Sequence, residues 1–446
     1  MNYEFEYAYV PIGVPTFHLE SAKKEFESSA NMLKGIDSSV KIPDEMLLSI
    51  DKLNAFLNSI KPDLLIVQNI TFANSAYISG IIKHFDCPVL LWTLREPVID
   101  GGRLRLNSLT GAFSAGNTLK NYGRSFEYIF GAPNETAVLN KIAAVIRAAR
   151  LKKAMCSLNF LQIGHTPQGF GFGRGNDLEM LKVFGVTLNS IEARELIDIA
   201  KSYSDEDVAE YLLDAKGKIK GLENTPAKNR NDFARLYKVY AEYCRDNHIG
   251  AVSSRCWPDF FTAFGTPVCA VLAMLNDMGI PAACEADTYG GLSMYIGQFL
   301  TNKPVFFGDP VSMNEKENTI TFWHCGTAAC SLAREDTGAC ADVHCNRKIG
   351  PTLDFGCRAN DCATVFRVGR TADGKFRVFI SNGEILNKPK QFNGTSLVVK
   401  TKNNAADIIN KAVIDGWEPH FAVIYGDVYE ELKALAGMLD IEVFCY

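Results

Sequence analysis

The first third of the chain alternates short apolar runs with amphipathic stretches. Apolar runs of strand length occupy residues 7–12, 63–69 and 88–94. Between them, residues 21–33 and 75–84 repeat apolar positions at helical spacing,. Short apolar strands separated by helices favour a parallel sheet. A helix predicted over residues 140–152, with Lys and Arg near its end, completes this region, so we place a boundary near residue 155,.

The same alternation resumes at residues 158–164 and continues to about residue 302, with a helix predicted at 266–278 that Gly279 ends,. From residue 303 the pattern becomes β-rich. Its candidate strands are residues 304–307, 319–323, 365–368, 376–380, 396–400 and 420–425,. We therefore predict an α/β protein with two Rossmann-like parallel-sheet domains followed by a β-rich C-terminal domain. The predicted domains are residues 1–155, 156–302 and 303–446.

Composition excludes several classes of protein. The 446 residues are 47% hydrophobic, which is too apolar for a disordered chain, and the length suggests more than one compact unit,. A net charge of −5 with both signs dispersed gives no basic patch for nucleic acid or an anionic membrane,. No apolar run approaches the roughly 20 residues of a spanning helix. The acidic opening segment does not resemble a secretory signal, so we expect a cytoplasmic protein whose 13 cysteines are reduced,.

Searches for common nucleotide and hydrolase motifs are negative. A complete P-loop, H-E-x-x-H and G-x-S-x-G are all absent from the sequence,. The glycine-rich run 169–175 alternates strictly and does not satisfy G-x-G-x-x-G. It is more typical of a substrate-side or interface loop than of a dinucleotide site.

Cysteines recur in pairs with four residues between the members. The pairs are Cys325 and Cys330, Cys340 and Cys345, and Cys357 and Cys362. A metal or iron–sulfur site is one interpretation, but the spacing is not that of a zinc knuckle. Buried cysteines acting as small hydrophobic residues are the simpler interpretation.

Potential metal ligands follow three successive apolar strands. Glu285, Asp309 and His324 each come at the end of such a run, and His420 lies at the edge of the last predicted strand. Because ligands collect beyond the carboxyl ends of strands in α/β sheets, these side chains are expected to converge. Two carboxylates with imidazole suit Mn²⁺, Mg²⁺, Fe²⁺ or Zn²⁺. Taken singly, Asp309 before Pro310 is equally typical of a turn, and His324 of a core residue.

The stretch from Glu285 to Thr301, followed by PVFFGD up to Asp309, resembles the active-site segment of the L-fucose isomerase and L-arabinose isomerase superfamily. The resemblance covers the whole chain and is densest from residue 250 to 326 and around 417 to 427. It implies that Glu285, Asp309 and His420 bind a divalent metal, Mn²⁺ or another such as Mg²⁺, Co²⁺ or Fe²⁺. Asp309 departs from the arabinose branch, which has Glu there. The chain is also shorter than a typical fucose isomerase, so the walls of the substrate pocket cannot be transferred.

The resemblance implies an aldose–ketose isomerase that acts on an open-chain sugar through a cis-enediol, with Glu285 and Asp309 as catalytic groups. A hydride shift remains the alternative route.

Residues expected to bind the substrate are Arg255, Trp257, Asp287, His324 and Trp417. His324 is a fourth metal ligand or a hydrogen-bond partner of the sugar. Trp257 and Trp417 are candidate stacking faces, although buried core positions are equally compatible with tryptophan. If Arg255 meets an anionic substituent, a sulfonated sugar such as sulfoquinovose, a phosphorylated sugar or a uronic sugar becomes a candidate. Pairing with an acid is its simpler role.

The resemblance also implies a homo-oligomer, either a hexamer or a trimer-based assembly. In it Trp92, Arg95 or Asn107 of one subunit would act in the pocket of the next. Two alternatives stay open at this point. One is a sugar-binding protein that kept the fold without turnover, and the other is a metal or redox protein that uses the cysteines of residues 325–362.

Overall fold

The computed structural model describes residues 4–446. They divide into two compact units. The first comprises the described residues up to Ala154 together with Glu430–Asp440, and the second comprises Met155–Tyr429 together with Ile441–Tyr446.

The first unit contains a parallel sheet in the order β1-β2-β3-β4. Its strands are β1 Tyr7–Ile12, β2 Leu64–Asn69, β3 Val89–Thr93 and β4 Glu127–Phe130. Its helices are α1 Leu19–Ile36, α2 Ile50–Leu57, α3 Ser75–His84, α4 Ser108–Asn121 and α5 Thr136–Met155, with a C-terminal helix at Tyr429–Met438. All six residues of β1 and of β2 are buried, as expected for a parallel sheet, although β2 ends in the polar residues Gln68 and Asn69,.

The second unit begins with another parallel sheet, in the order β6-β5-β8-β9. The elements are β5 Asn159–Ile163, α6 Asp177–Glu179, β6 Thr187–Ile191, α7 Ala193–Ser202, α8 Ala209–Lys218, β7 Ile219–Lys220, α9 Ala227–Asp246, β8 Ile249–Ser254, α10 Cys269–Asp277, β9 Ala282–Cys284 and α11 Thr288–Thr301. Each of the central strands β5 and β8 leads into a loop at the same edge of the sheet, as parallel pairing requires,.

The β-rich part follows α11. Its elements are β10 Phe306–Asn314, β11 Thr319–His324, β12 Ala339–Asp342, β13 Thr352–Gly356, β14 Asn360–Arg370, β15 Phe376–Ile385, β16 Thr395–Thr401, α12 Ala405–Ile414, β17 Phe421–Ile424 and β18 Glu442–Cys445. The strands order as β18-β15-β14-β17-β10-β11-β16-β13-β12-β7. Because β15 also pairs with β16, six antiparallel strands close on themselves in a barrel-like sheet,.

The predicted fold class, two parallel-sheet α/β regions followed by a β-rich region, is confirmed. One strand differs in a way that matters for the site. The pattern predicts a strand at residues 304–307, whereas β10 continues through Asp309 to Asn314, with a bulge between Pro310 and Ser312. A bulge tolerates proline because it interrupts the ladder of backbone hydrogen bonds. Among residues 4–446, no helix is long and apolar enough to cross a bilayer.

Candidate active site

Glu285 stands at the carboxyl edge of the second parallel sheet, directly after β9. Glu285 and Ala286 both have left-handed backbone conformations, with φ of 61° and 55°. Two successive non-glycine residues there store strain that the surroundings must hold in place. The Ala286 N–H donates to the Ser254 carbonyl at 2.9 Å, and the Asp287 N–H donates to the Cys284 carbonyl at 3.2 Å. This backbone turn fixes the direction of the Glu285 side chain.

Asp287 is the N-terminal cap of α11 and is fully buried. It accepts the Gly290 backbone N–H at 2.9 Å, as an N-cap carboxylate does,. The buried Arg367 guanidinium of β14 binds the same carboxylate with two hydrogen bonds, of 2.5 and 3.1 Å. Burial favours the neutral acid, but Arg367 and His420 hold the pKa of Asp287 well below its usual range,.

His420 connects the three carboxylates of the site. Its Nδ1 lies 2.9 Å from Asp287 Oδ2, while its Nε2 lies 3.0 Å from Glu285 Oε2 and 3.4 Å from Asp309 Oδ1. A carboxylate that is hydrogen-bonded to Nδ1 orients the ring and leaves Nε2 facing Glu285 and Asp309. Asp287 therefore lies behind the imidazole, and Glu285 and Asp309 lie in front of it.

Strand register explains why Asp309 reaches this point. Asp309 pairs with Trp323 of β11, next to His324, and its neighbour Gly308 pairs with Phe421 of β17, next to His420. The expected convergence of ligands at the carboxyl ends of parallel strands holds for Glu285 alone. Asp309 lies near the start of β10 and His420 precedes β17, because antiparallel pairing brings the start of one strand to the end of its neighbour.

Charge and burial act in opposite directions on the two front carboxylates. Burial raises the pKa of Asp309 above its usual range despite the two nearby imidazoles. For Glu285, burial is outweighed by His420, His324 and the Trp257 hydrogen bond, so its pKa is lowered. Burial also opposes protonation of the imidazoles, but Asp287 and Glu285 raise the pKa of His420 to about 10. Cys325 and the front carboxylates likewise raise the pKa of His324 to about 9.

These donors suit a divalent cation. One ligand atom from each of Glu285, His324 and His420 lies within 4.8 Å of the other two. Asp309 adds a carboxylate oxygen 3.4 Å from His420 Nε2. Two oxygen and two nitrogen donors match Mn²⁺, Fe²⁺, Co²⁺ or Zn²⁺ better than a soft ion. The chemistry of the donor set therefore fits the metal that the sequence predicts.

Aromatic side chains surround the imidazole. Phe307, Phe170 and Phe172 lie 4.8, 6.2 and 5.6 Å from the His420 ring, measured between centroids. Phe170 and Phe172 belong to the glycine-rich run, which the sequence predicts to be a substrate-side or interface loop. A Cβ atom at Gly173 would lie 2.9 Å from the Asp287 Cα atom, so glycine lets this loop approach the site closely,.

The remaining predicted substrate residues have different positions. Trp257 Nε1 donates to Glu285 Oε1 at 3.0 Å, so this ring belongs to the site. Arg255 Nε lies 2.5 Å from Asp259 Oδ2. Arg255 thus pairs with an acid, which is the simpler of its two predicted roles. Trp417 packs under the Arg377 guanidinium at 4.0 Å and donates to the Tyr446 hydroxyl at 2.7 Å. The contacts of Arg255 and Trp417 with a sugar stay predictions.

Two further residues lie behind the imidazole. Asp287 has both carboxylate oxygens engaged and is 1% exposed. The contact that the structure gives it is with His420, and its contact with a sugar stays a prediction. Arg367 was not among the predicted site residues. The sequence feature that could have indicated it is a charged residue inside the apolar run Val365–Val368, since a buried guanidinium requires an acidic partner,.

The six cysteines of residues 325–362 do not form one cluster. Cys362 is exposed, and Cys357 contacts Tyr425. Cys325 instead meets the buried thiols of Cys269 and Cys284, which are distant in sequence. The spacing-based metal site is therefore not formed, and none of residues 4–446 takes part in a disulfide.

Comparison with known proteins adds independent information. The family model described as "L-fucose isomerase, C-terminal domain" matches residues 324–446. A sulfoquinovose isomerase from Clostridium sp. (strain MSTE9) is 62% identical over 99% of both chains. Sulfoquinovose isomerases from Priestia aryabhattai and Alkalicoccus urumqiensis are 38% and 34% identical, each over 98% of both chains.

Proposed function

Because the chain belongs to the family of fucose isomerase-like sugar isomerases, we propose that it interconverts sulfoquinovose and the corresponding 2-ketose with the help of a divalent metal. Sulfoquinovose is the substrate named for relatives that are similar along the whole chain. The observation that carries the proposed chemistry is the arrangement of Glu285 and Asp309 in front of His420 Nε2, at 3.0 and 3.4 Å.

The residues proposed to hold the metal are Glu285, Asp309 and His420, with His324 as a fourth donor. Mn²⁺ is the ion we propose, and Mg²⁺, Co²⁺ and Fe²⁺ are the alternatives to compare with it. When bound, such an ion supplies Lewis-acid stabilisation of the negative charge that develops on O1 and O2 of the sugar.

The isomerisation requires proton transfers at two carbons and two oxygens. In the proposed route, one of the two front carboxylates removes the proton from C2 while O1 gains a proton, which gives a cis-enediol. The proton is then returned to C1 while O2 loses its proton, which gives the ketose. Trp257 holds the Glu285 carboxylate in place for these transfers, and Phe170, Phe172 and Phe307 limit the access of water to His420,.

The proposal is tested by NMR of sulfoquinovose in D₂O, with metal-free protein and after addition of Mn²⁺. We expect ketose formation with deuterium incorporated at C2 of recovered aldose, and only with metal. Glu285→Gln should lower the rate about 10²- to 10⁴-fold, while Glu335→Gln, at an exposed carboxylate, should not. Turnover without exchange at C2 would replace the enediol by a hydride shift, and absence of turnover with Mn²⁺, Mg²⁺, Co²⁺ and Fe²⁺ alike would refute the proposed function.

We also propose that the chain works as a homo-oligomer. The first unit exposes large apolar side chains, including Ile99 at 94% and Phe113 at 75% exposure. They border a cavity of about 490 Å³ that Arg95 and Asn107 also line. Large exposed apolar patches favour association, for which a second copy of the chain is the partner we propose. Trp92 is fully buried and donates to the Gly131 carbonyl, so it cannot reach another subunit.

Native mass measurement tests this assembly. Phe113→Ser should lower the mass towards that of one chain. The control is Val413→Ser, an exposed apolar residue of α12, and it should keep the native mass. A monomeric wild-type protein would contradict the proposal.

A further inference from the structure

The substrate proposed above carries a sulfonate on C6, which stays ionised throughout the physiological pH range. An enzyme selective for it needs a cation at a fixed distance from the atoms that react. Arginine suits this task because its planar fork matches a tetrahedral oxyanion and never loses its charge.

Most arginines around the site are already paired with carboxylates. Arg367 binds Asp287, and Arg255 lies 2.5 Å from Asp259. Arg370 of β14 binds Glu179 with Nη1 at 2.5 Å and Nη2 at 2.8 Å. An arginine that already has an ionised partner would have to break that pair to take a sulfonate.

Arg347, in the loop between β12 and β13, is different. Its guanidinium lies over two aromatic rings, 5.6 Å from the centroid of Trp257 and 5.2 Å from that of Phe261. Its backbone N–H donates to His344 Nδ1 at 3.3 Å, which anchors the loop. Within residues 4–446, no carboxylate lies within ion-pair distance of the exposed Arg347 side chain. The charge is therefore oriented by stacking and left available for a ligand.

Trp257 sets the distance between this cation and the reacting groups. The face of its ring contacts Arg347, while its Nε1 donates to Glu285 at 3.0 Å. The guanidinium is thus separated from the catalytic carboxylate by one indole ring and one hydrogen bond. In an extended open-chain hexose, C6 lies roughly 6 Å from C1, given single bonds of ordinary length. A sugar lying along Trp257, with C1 and C2 at Glu285, would bring its C6 substituent to Arg347.

We infer that Arg347 binds the C6 sulfonate and thereby determines the specificity of this isomerase for anionic sugars. This inference rests on the proposed function, because it assigns one end of the same substrate. Since the contact is present both in the ground state and in the transition state, it should act on KM more than on kcat.

The test compares sulfoquinovose with quinovose, in which C6 is a methyl group without the sulfonate. For Arg347→Gln we expect kcat/KM with sulfoquinovose to fall about 10- to 100-fold, the effect of one charge-assisted hydrogen bond. Most of this change should lie in KM, and kcat/KM with quinovose should change less than about twofold. Arg347→Lys should lower kcat/KM with sulfoquinovose less, since it keeps the positive charge but lacks the planar guanidinium.

Two control variants make the outcome decisive. Lys348→Gln removes the same charge one position away and should behave as wild type with both sugars. Arg174→Gln removes another cation, in the glycine-rich loop, and should not change the preference for the sulfonated sugar. The inference is overturned if Arg347→Gln leaves KM for sulfoquinovose unchanged, if it slows both sugars equally, or if Arg174→Gln alone removes the preference. Wild-type protein that is inactive on sulfoquinovose would refute the proposed function instead.

Discussion

The buried pair of Asp287 and Arg367 allows stability and function to be separated by mutation. Asp287→Asn keeps the size of the side chain and an oxygen that can cap α11 through the Gly290 N–H, but it removes the charge,. Arg367, which is 0% exposed, then becomes an unpaired buried cation. Breaking such a pair typically costs about 3–5 kcal/mol, a large part of the usual stability of a domain.

The same substitution acts on His420 through a different contact. Asp287 Oδ2 lies 2.9 Å from His420 Nδ1, and loss of a carboxylate partner of this kind typically lowers metal affinity or activity about 10- to 100-fold,. Arg367→Met combined with Asp287→Asn removes both buried charges. Because a buried ion pair can be replaced by apolar groups at little cost, the double variant should regain most of the lost stability. It should not regain activity, since His420 still lacks its carboxylate.

Urea unfolding followed by tryptophan fluorescence measures the first effect. Trp257, Trp323 and Trp417 lie in the second unit and report on it, whereas Trp92 reports on the first. Isomerase assays on the same proteins measure the second effect. An unchanged unfolding midpoint for Asp287→Asn, or a double variant that recovers activity together with stability, would refute this reasoning.

Two further predictions concern metal binding and the glycine-rich loop. Because the pKa values of His324 and His420 are raised to about 9 and about 10, both rings are protonated at neutral pH in metal-free protein, and the metal must displace these protons. Apparent Mn²⁺ affinity should therefore increase by up to about 100-fold per pH unit below pH 9. Calorimetry in buffers of different ionisation enthalpy measures the released protons, and equal affinity at pH 6.5 and 8 would contradict this. Gly173→Ala should lower activity about 10- to 100-fold, since a Cβ atom 2.9 Å from the Asp287 backbone forces the loop to move,. Gly171→Ala, whose Cβ atom would meet nothing within 4 Å, should match wild type in the same steady-state assay, and equal loss in both variants would argue against the close approach.

Local sequence patterns carry much of this site, because several of its residues flank strands. Glu285 follows the apolar run that becomes β9, and His420 directly precedes β17, so the alternation of apolar and polar residues marks both. Asp309 was predicted as a residue after a strand, whereas it lies within β10. The run of apolar residues ends before the strand does, since the outer half of β10 is partly or fully exposed.

The sequence alone does not predict the long-range contacts in and around the site. Arg367 lies 80 positions from Asp287, and no spacing rule connects a strand of the barrel to the cap of a helix. The thiols around Cys325 come from Cys269 and Cys284, whereas the regular spacing pointed to partners within residues 325–362. In both cases the contact joins the barrel-like sheet to the parallel sheet β6-β5-β8-β9 or to a helix beside it, and no local pattern predicts which of these surfaces pack together.

The three carboxylates around His420 differ in how exposed they are and in whether their oxygen atoms already have partners. Asp287 is 1% exposed and uses both oxygens on Arg367, His420 and the Gly290 N–H, so it stays ionised and has no lone pair directed to a substrate. Glu285 and Asp309 have side chains that are 15% and 30% exposed. A group that transfers a proton must reach the substrate. Of the three, only the two front carboxylates are exposed enough to do so, and this is why we propose proton transfer for them and orientation of the imidazole for Asp287.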